Sequence, residues 1–314
     1  MNAFLVMHPG IHTAIQDLGR PGFMKYGIPA SGAADRFSFE IANLLVKNSP
    51  SAAVLEITLF RLELRALSNL IISCTGGNLT PTVNGHPLPM WQSFTLKEGD
   101  RLAFRLRKEG FRAYLAVHGG FSGPKFLESR SVFTRGLMGK TLQAGGILKT
   151  EASNYESFSL KKVPRDMVPT FPPNPLLRVM LGPQDDRFTP QGIATFLSAE
   201  YRVSPQSDRM GYRLEGPKIG HLAGWDIISE PISRGGIQVT GDGLPIILLW
   251  DAQVSGGYTK IANVISADLD RLAQVMPGEK LRFKAVSLEE AQAAWKEEKA
   301  RREQIPNILI PVEK

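Results

Sequence analysis

Residues 13–48, TAIQDLGRPGFMKYGIPASGAADRFSFEIANLLVKN, set polar and glycine chemistry between apolar neighbours. Gln16, Asp17 and Arg20 arrive with Gly19 and Gly22, and Gly27, Pro29, Ser31, Gly32 and Asp35 follow, so the pattern predicts a tight, backbone-exposing loop leading into a helix. Glycine lets the main chain take positive φ and approach a ligand closely, and a helix start supplies unpaired N–H groups. Sites for small anionic or polar ligands are built this way. Asp35 reads as the N-cap, with Phe37, Ile41, Leu44 and Leu45 at helical spacing and Lys47 and Asn48 at the far end. On residue types alone, a plain strand-to-helix connection with Asp35 as cap and Arg20 as a surface partner accounts for the stretch equally well.

Outward from this unit, short segments at 3–7, 54–58, 61–65, 70–73, 93–96, 101–107 and 112–117 are rich in β-branched or aromatic residues and divided by Gly, Asn and Pro. That spacing is the mark of a β-barrel or sandwich. Between about 150 and 175 the hydrophobic periodicity fades while Pro164, Pro169, Pro172, Pro173 and Pro175 accumulate. A boundary is expected there, between a β-rich half at 1–160 and a second at 161–314. In the second half a strand at 177–181 precedes a helix with Thr189 as N-cap and Pro190 at its first position, and 235–240 and 245–250 flank a Gly241-Asp242-Gly243 turn as a hairpin. A helix over 268–276 is stopped by Pro277-Gly278. After a last strand at 280–286, Ser287 and Glu290 form a capping box for a terminal helix over 288–303. Its apolar stripe, Leu288, Ala291, Ala294 and Trp295, predicts that the first half packs and the far end is solvated.

With 314 residues and 43% hydrophobic content the chain can fill one large or two ordinary cores. Its longest apolar run, near 246–250, falls far short of the ~20 residues of a membrane helix, and no basic segment with a long apolar one opens the sequence. A cytoplasmic protein without a membrane partner is expected. The net charge of +7 is spread along strands or interleaved with glutamates, and no recognition motif accompanies it, so no nucleic-acid partner is expected. Cys74, the one cysteine, excludes an internal disulfide, and its place in LIISCTGG predicts a buried, inert thiol.

Several chemistries find no support. The five histidines include one close pair, His8 and His12, split by Pro9-Gly10, so no side-chain metal centre is expected. GLMGKT at 136–141 fails as a P-loop because Thr134 stands where glycine is needed. No lysine lies between two methionines as in a biotin carrier, and no serine stands in a GxSxG elbow. What remains is a set of polar residues on glycine-rich loops of both halves: Gln16, Asp17, Arg20, Ser31, Asp35, Asn43, Arg130, Gln184, Asp208, Arg209, Gln238, Asp242, Gln253 and Tyr258, with Gly32 among them. They suit an amide, lactam or carboxylated substrate together with a phosphate. Arginines clamp the anion, amides and Ser31 read polar edges, and Asp17 or Asp35 accepts a proton or holds a nucleotide's Mg²⁺. Buried polar loops also need internal hydrogen bonds whatever the function, so about half of the set is expected to be structural.

The order QDxGRxGxxxxGxPxSGAxDxxSxxxANxLVxN resembles the opening signature of the family that holds the C component of the bacterial 5-oxoprolinase, KipA-type proteins and the carboxyltransferase domain of urea carboxylase. The blocks at 110–121, 128–131, 182–188, 207–217 and 235–269 follow the same family in order. The resemblance implies a mainly β, α+β fold of two cyclophilin-like, barrel-like halves about a pseudo-twofold with a groove between them. It also implies the C component of an ATP-dependent 5-oxoprolinase, which phosphorylates the lactam oxygen with ATP and Mg²⁺ as substrate complex and without bound biotin. Its partners are a KipI-like B component and a LamB/YcsF-like A component. In this picture Asp17, Arg20 and Asp35 are catalytic. Gln16, Ser31, Gly32, Asn43, Arg130, Gln184, Arg209, Gln238, Asp242, Gln253 and Tyr258 bind substrate or nucleotide. The same resemblance leaves open a carboxyltransferase acting on urea or another amide from carboxybiotin, or a non-catalytic KipA-type antagonist of a kinase inhibitor. The chain departs from the family pattern at Glu128, Val132, Lys140, Thr240, Leu244 and Ala252, the last standing where an arginine is common.

Overall fold

A computed structural model describes residues 1–154 and 158–312, with β-strands as the main regular structure and four α-helices among them. The chain forms two compact units, one of Met1–Arg20, Ser31–Phe171 and the residues from Arg301 onward, the other of Pro21–Ala30 and Pro172–Ala300. Among the described residues no helix is long and apolar enough to cross a membrane.

The first unit contains two seven-stranded sheets. One runs in the order Phe121–Ser122, Ile147–Thr150, Asn2–Pro9, Leu62–Ala66, Arg101–Phe104, Pro81–Val83, His86–Pro87. The other runs His12–Gln16, Val54–Thr58, Glu109–Val117, Leu70–Asn78, Gln92–Leu96, Lys161–Lys162, Ile310–Pro311. Strand alternation explains their packing, because successive side chains point to opposite faces. Leu115, Val117, Ile72 and Cys74 share a core with Phe4, Val6, Leu64 and Leu102 of the first sheet. Their neighbours Tyr114, Ala116 and Ile71 turn the other way, against Phe39, Ala42 and Val46 of helix α1 (Arg36–Leu45) and its end. Both faces of Glu109–Val117 are therefore covered, and all but its first residue is buried. On the helix side Ser73 and Thr75 donate to the carbonyls of Ala42 and Ser38 at 2.6 and 2.7 Å, which ties α1 to the sheet. Cys74 points into the core, and burial pushes its thiol up to about 12.

The second unit is a closed barrel in the order Leu176–Leu181, Lys260–Val264, Gly236–Val239, Pro245–Leu248, Gly211–Glu215, Tyr201–Val203, Lys280–Ala285. Parallel pairing of the first and last strands closes it. The predicted hairpin forms with Ile237 opposite Ile247. Helix α2 (Pro190–Ser198) starts where predicted: Thr189 accepts from the Gly192 N–H at 2.9 Å, and Phe196 stacks on Phe283 with ring centres 4.5 Å apart. Two elements differ from expectation. Helix α3 spans only Leu269–Ala273 and ends at Gln274, and Asp268 turns its carboxylate to the backbone and guanidinium of Arg178 instead of capping the helix start. Helix α4 (Leu288–Ile308) has the Ser287–Glu290 capping box, but its buried end is the far one. Leu288 and Trp295 are about half exposed, at 51% and 50%, whereas Ile305 is fully buried with Phe37, Ile41, Leu45 and Trp91. The charged residues read as a solvated face have partners. The Arg301 and Arg302 guanidiniums lie over the Phe37 ring at 4.9 and 5.9 Å, and Arg302 pairs with Glu40 at 3.6 Å.

Candidate functional site

In the first unit the opening loop and the 126–131 segment close around one carboxylate. Asp17 Oδ1 accepts from the Gly19 N–H at 2.8 Å and from the hydroxyls of Ser129 and Ser131 at 2.6 Å each, while Oδ2 accepts from the Arg130 N–H at 2.6 Å. Arg20 is fully buried beside it, donating from Nε to the Phe126 carbonyl at 3.3 Å and from Nη2 to that of Ser131. The 126–131 segment is thus held by the two ions of the loop, and the ESRS block belongs to the same structure as QDLGR. Gln16 donates to the Val132 carbonyl at 3.1 Å. The chain re-enters the unit at Ser31 and Gly32, with φ of 54° and 95°; a Cβ on Gly32 would lie 2.9 Å from the Leu18 carbonyl group, so only glycine fits. The Arg130 side chain pairs with Glu151.

Asp35 caps α1 through both oxygens, accepting from the Ser38 N–H at 2.9 Å and hydroxyl at 2.6 Å. Its own N–H meets the Tyr114 hydroxyl at 2.7 Å, which donates to Glu56 at 2.9 Å, and Glu56 also accepts from the Ala34 N–H at 2.8 Å. Arg112 stands 3.6 Å from the other Glu56 oxygen, with both side chains almost wholly buried. Burial, then the charges of Glu56 and Asp35, hold the Tyr114 phenol well above its ordinary value. None of Glu56, Arg112 and Tyr114 was singled out by the sequence reading. Their signal is a charge inside an apolar strand, VLEIT. Asn43 serves the end of α1, donating to Ala52 at 2.8 Å and accepting from Asn48 at 2.9 Å.

In the second unit, Gln184 is drawn into a different cluster. Glu230 Oε1 accepts from Gln184 Nε2 at 2.7 Å and from Lys260 Nζ, while Gln184 Oε1 accepts from the Lys260 backbone N–H at 3.1 Å. Lys260 belongs to the barrel wall and its side chain is 5% exposed; Glu230 lies on the two-stranded ribbon of Asp226–Pro231 and Ser255–Tyr258 and is 38% exposed. The hydrogen bond from Lys260, then that from Gln184, lowers the Glu230 carboxyl below its ordinary value. Lys260 and Glu230 line an open cleft of about 470 Å³ with Pro183, Ile232, Ser233 and Asn263, and Gln184 reaches Glu230 from beside it. That volume suits a small ligand. Gln238 is the cross-strand partner of Lys260, and its buried Nε2 has no hydrogen-bond partner among the described residues.

The other expected residues fall elsewhere in this unit. Arg209 forms a buried two-pronged pair with Asp251 at 2.8 and 3.3 Å. Asp208 accepts from the Met210 N–H at 2.7 Å. Asp242 accepts from Thr240 and from the Leu244 N–H within its exposed turn, and those bonds lower its carboxyl in that order. Gln253 is exposed, and Tyr258 packs on Trp225 at the end of the ribbon with ring centres 5.5 Å apart. Lys260 and Glu230 were missed because the first only opens an apolar strand and the second lies among exposed residues, and neither position carries a glycine neighbour.

Residues 26–285 match the family described as carboxyltransferase domain, subdomain A and B. The chain belongs to this carboxyltransferase-domain family. Among its relatives, the C component of the Escherichia coli 5-oxoprolinase is 33% identical over 304 residues, covering 96% of each chain. The urea amidolyase of Saccharomyces cerevisiae is 33% identical over 307 residues, but that match takes in 91% of this chain and only 17% of the yeast protein. The crystal structure of the Kluyveromyces lactis urea carboxylase superposes with a TM-score of 0.90 at 30% identity, over 96% of this chain and 29% of that one. The mainly β fold expected from the opening signature is therefore the family's own.

Proposed function

We propose that the chain acts as the C component of an ATP-dependent 5-oxoprolinase in the cytoplasm, with a KipI-like B component and a LamB/YcsF-like A component. The observation that carries this reading is that its likeness to a 5-oxoprolinase C component runs through 96% of that protein, whereas urea amidolyase is matched over 17% of its length. A lactam is a resonance-stabilised amide. Transfer of the γ-phosphoryl group of ATP, supplied as its Mg²⁺ complex, to the lactam oxygen turns the carbonyl carbon into an electrophile, and water then opens the ring as phosphate leaves. The cleft beside Lys260 and Glu230 is the small-molecule site in this reading. Asp17 and Asp35, whose carboxylates are filled by protein hydroxyl and backbone donors, hold the 126–131 segment and the start of α1 in place; Arg20 clamps the same segment.

The test is reconstitution of the purified chain with its KipI-like and LamB/YcsF-like partners, 5-oxoproline and MgATP. Glutamate and ADP should form only in the full mixture. ADP no higher than in the mixture without this chain would overturn the reading. The urea carboxylase likeness favours one alternative, and transfer of carboxylate from carboxybiotin to urea by the same preparation would establish it instead.

A further inference from the structure

We propose that Lys260 and Gln184 form a carboxylate-binding subsite for the substrate, and that Glu230 occupies it as an internal surrogate until a ligand arrives. The assignment rests on the small-molecule reading of this cleft and names the substrate class: a small amide or lactam that bears one carboxylate.

The two donors converge on a single oxygen, Glu230 Oε1, one as a cation and one as an amide N–H. Charge-assisted pairs of this kind are how proteins hold carboxylates. The donors are the fixed partners. Lys260 lies in the barrel strand Lys260–Val264 with its side chain nearly buried, and Gln184 is oriented by two backbone bonds, its N–H to the Lys260 carbonyl at 3.1 Å and its Oε1 from the Lys260 N–H at 3.1 Å. Glu230 is the partner that reaches solvent. It hangs from a two-stranded ribbon whose register shifts between Asp226 and Glu230, its cross-strand neighbour is Gly256, and it keeps over a third of its side chain in solvent. An ammonium buried in the wall cannot be left unpaired without a large cost, so whatever displaces Glu230 must bring a negative charge of its own. A monocarboxylate does so one for one, and Glu230 returns to water.

A further donor stands beside the pair. Gln238 faces Lys260 across adjacent strands, and its buried Nε2, without a hydrogen-bond partner among the described residues, packs with Ile232 of the cleft wall against Gly256, where an added Cβ would come within 2.7 Å of both. A carboxylate has two oxygens, and the surrogate uses one of its own here, so a donor is left for a ligand's second. A neutral amide such as urea offers no replacement for the Glu230 charge.

Calorimetry on the full chain tests the subsite with two probes that share the lactam ring, 5-oxoproline and 2-pyrrolidinone, which lacks the carboxylate. The expected result is that 5-oxoproline binds at least tenfold tighter than 2-pyrrolidinone, a factor within reach of one charge-assisted contact. Glu230→Gln should tighten 5-oxoproline about tenfold by removing the competing charge, and Lys260→Met and Gln184→Leu, checked for native circular dichroism, should each weaken it by roughly tenfold or more. Equal affinity for the two probes, or weaker 5-oxoproline binding in Glu230→Gln, would overturn the subsite. Two results separate its failure from that of the oxoprolinase reading. If the reconstituted complex hydrolyses 5-oxoproline with the same KM in Glu230→Gln and Lys260→Met, the subsite falls and the enzyme reading stands. If acetate and malonate bind in a Lys260-dependent manner while the complex leaves 5-oxoproline intact, the subsite stands and the substrate assignment falls.

Discussion

Asp17→Asn separates a loop clamp from a reacting carboxylate. In the native structure Oδ1 takes three donors, from Gly19, Ser129 and Ser131, and Oδ2 takes the Arg130 N–H, all within 2.8 Å. Asparagine can present its carbonyl oxygen to the first three but must then turn an NH₂ toward the Arg130 N–H, so one charge-assisted bond is lost and two donors meet head-on. Losing such a bond and stranding a buried donor each cost about 1–3 kcal/mol, and the sum is about 2–4 kcal/mol because the three remaining bonds also lose their ionic partner. For a unit of this size that corresponds to a fall in Tm of roughly 5–15 °C. Asp17→Ala removes the acceptor for all four donors and should cost more, about 3–5 kcal/mol. The assay is urea unfolding of the wild type and both variants, paired with partner-dependent turnover at a temperature where each is fully folded. The clamp argument requires a large stability loss with turnover of the folded variant within about threefold of wild type. If Asp17→Asn unfolds within about 0.5 kcal/mol of wild type and turnover falls by two orders of magnitude, the carboxylate acts on the reaction and the geometry has been misjudged.

Further outcomes follow from burial and backbone geometry. Ile305→Ala should destabilise the first unit by about 2–5 kcal/mol, since Ile305 is fully buried among Phe37, Ile41, Leu45 and Trp91; an effect under about 0.5 kcal/mol in urea unfolding would mean that the far half of α4 is not part of the core. Gly32→Ala should cost at least about 1–3 kcal/mol, because it combines φ of 95° with a Cβ only 2.9 Å from the Leu18 carbonyl group, and an unchanged unfolding midpoint would refute the close approach. Cys74 has a thiol raised by burial from 9.0 to about 12, so its protonated form is favoured in the folded state. Its contribution is therefore intact below pH 9 and lost as pH rises toward 12, the unfolded chain releasing the proton first. The stability difference between wild type and Cys74→Ala should fall by about 1.4 kcal/mol per pH unit in that window, and a pH-independent difference would refute the burial argument.

The sequence disclosed those features whose cause lies within a few residues. Asp35 and Ser38, Thr189 and Gly192, and Ser287 and Glu290 are caps closed over three positions, and each forms as its residue types require. The barrel hairpin about Gly241–Gly243 is equally local. The end of α4 was misread because its charged face has long-range partners: Phe37 and Glu40 receive Arg301 and Arg302 from more than 250 residues away in sequence. No periodicity encodes that.

The selection of polar residues carried a bias with a physical origin. Glycine neighbours pick out loops, and a folded glycine-rich loop must satisfy its exposed N–H groups, which Asp17 and Asp35 do with oxygens of their own. Glycine neighbours do not mark a charge in or at the start of an apolar strand, as with Glu56 in VLEIT and Lys260 in KIANV, although burying such a charge is what demands a partner. Glu56 finds Tyr114 and Arg112 across a sheet, 58 and 56 residues on; Lys260 finds Glu230 and Gln184 only because the fold brings a barrel strand, a two-stranded ribbon and a turn together. A buried charge with a partly exposed counter-charge can exchange its partner, whereas a carboxylate filled by four protein donors cannot. That difference, which depends on burial and so on the fold, is why we propose the cleft beside Lys260, rather than the opening loop, as the place where a ligand binds.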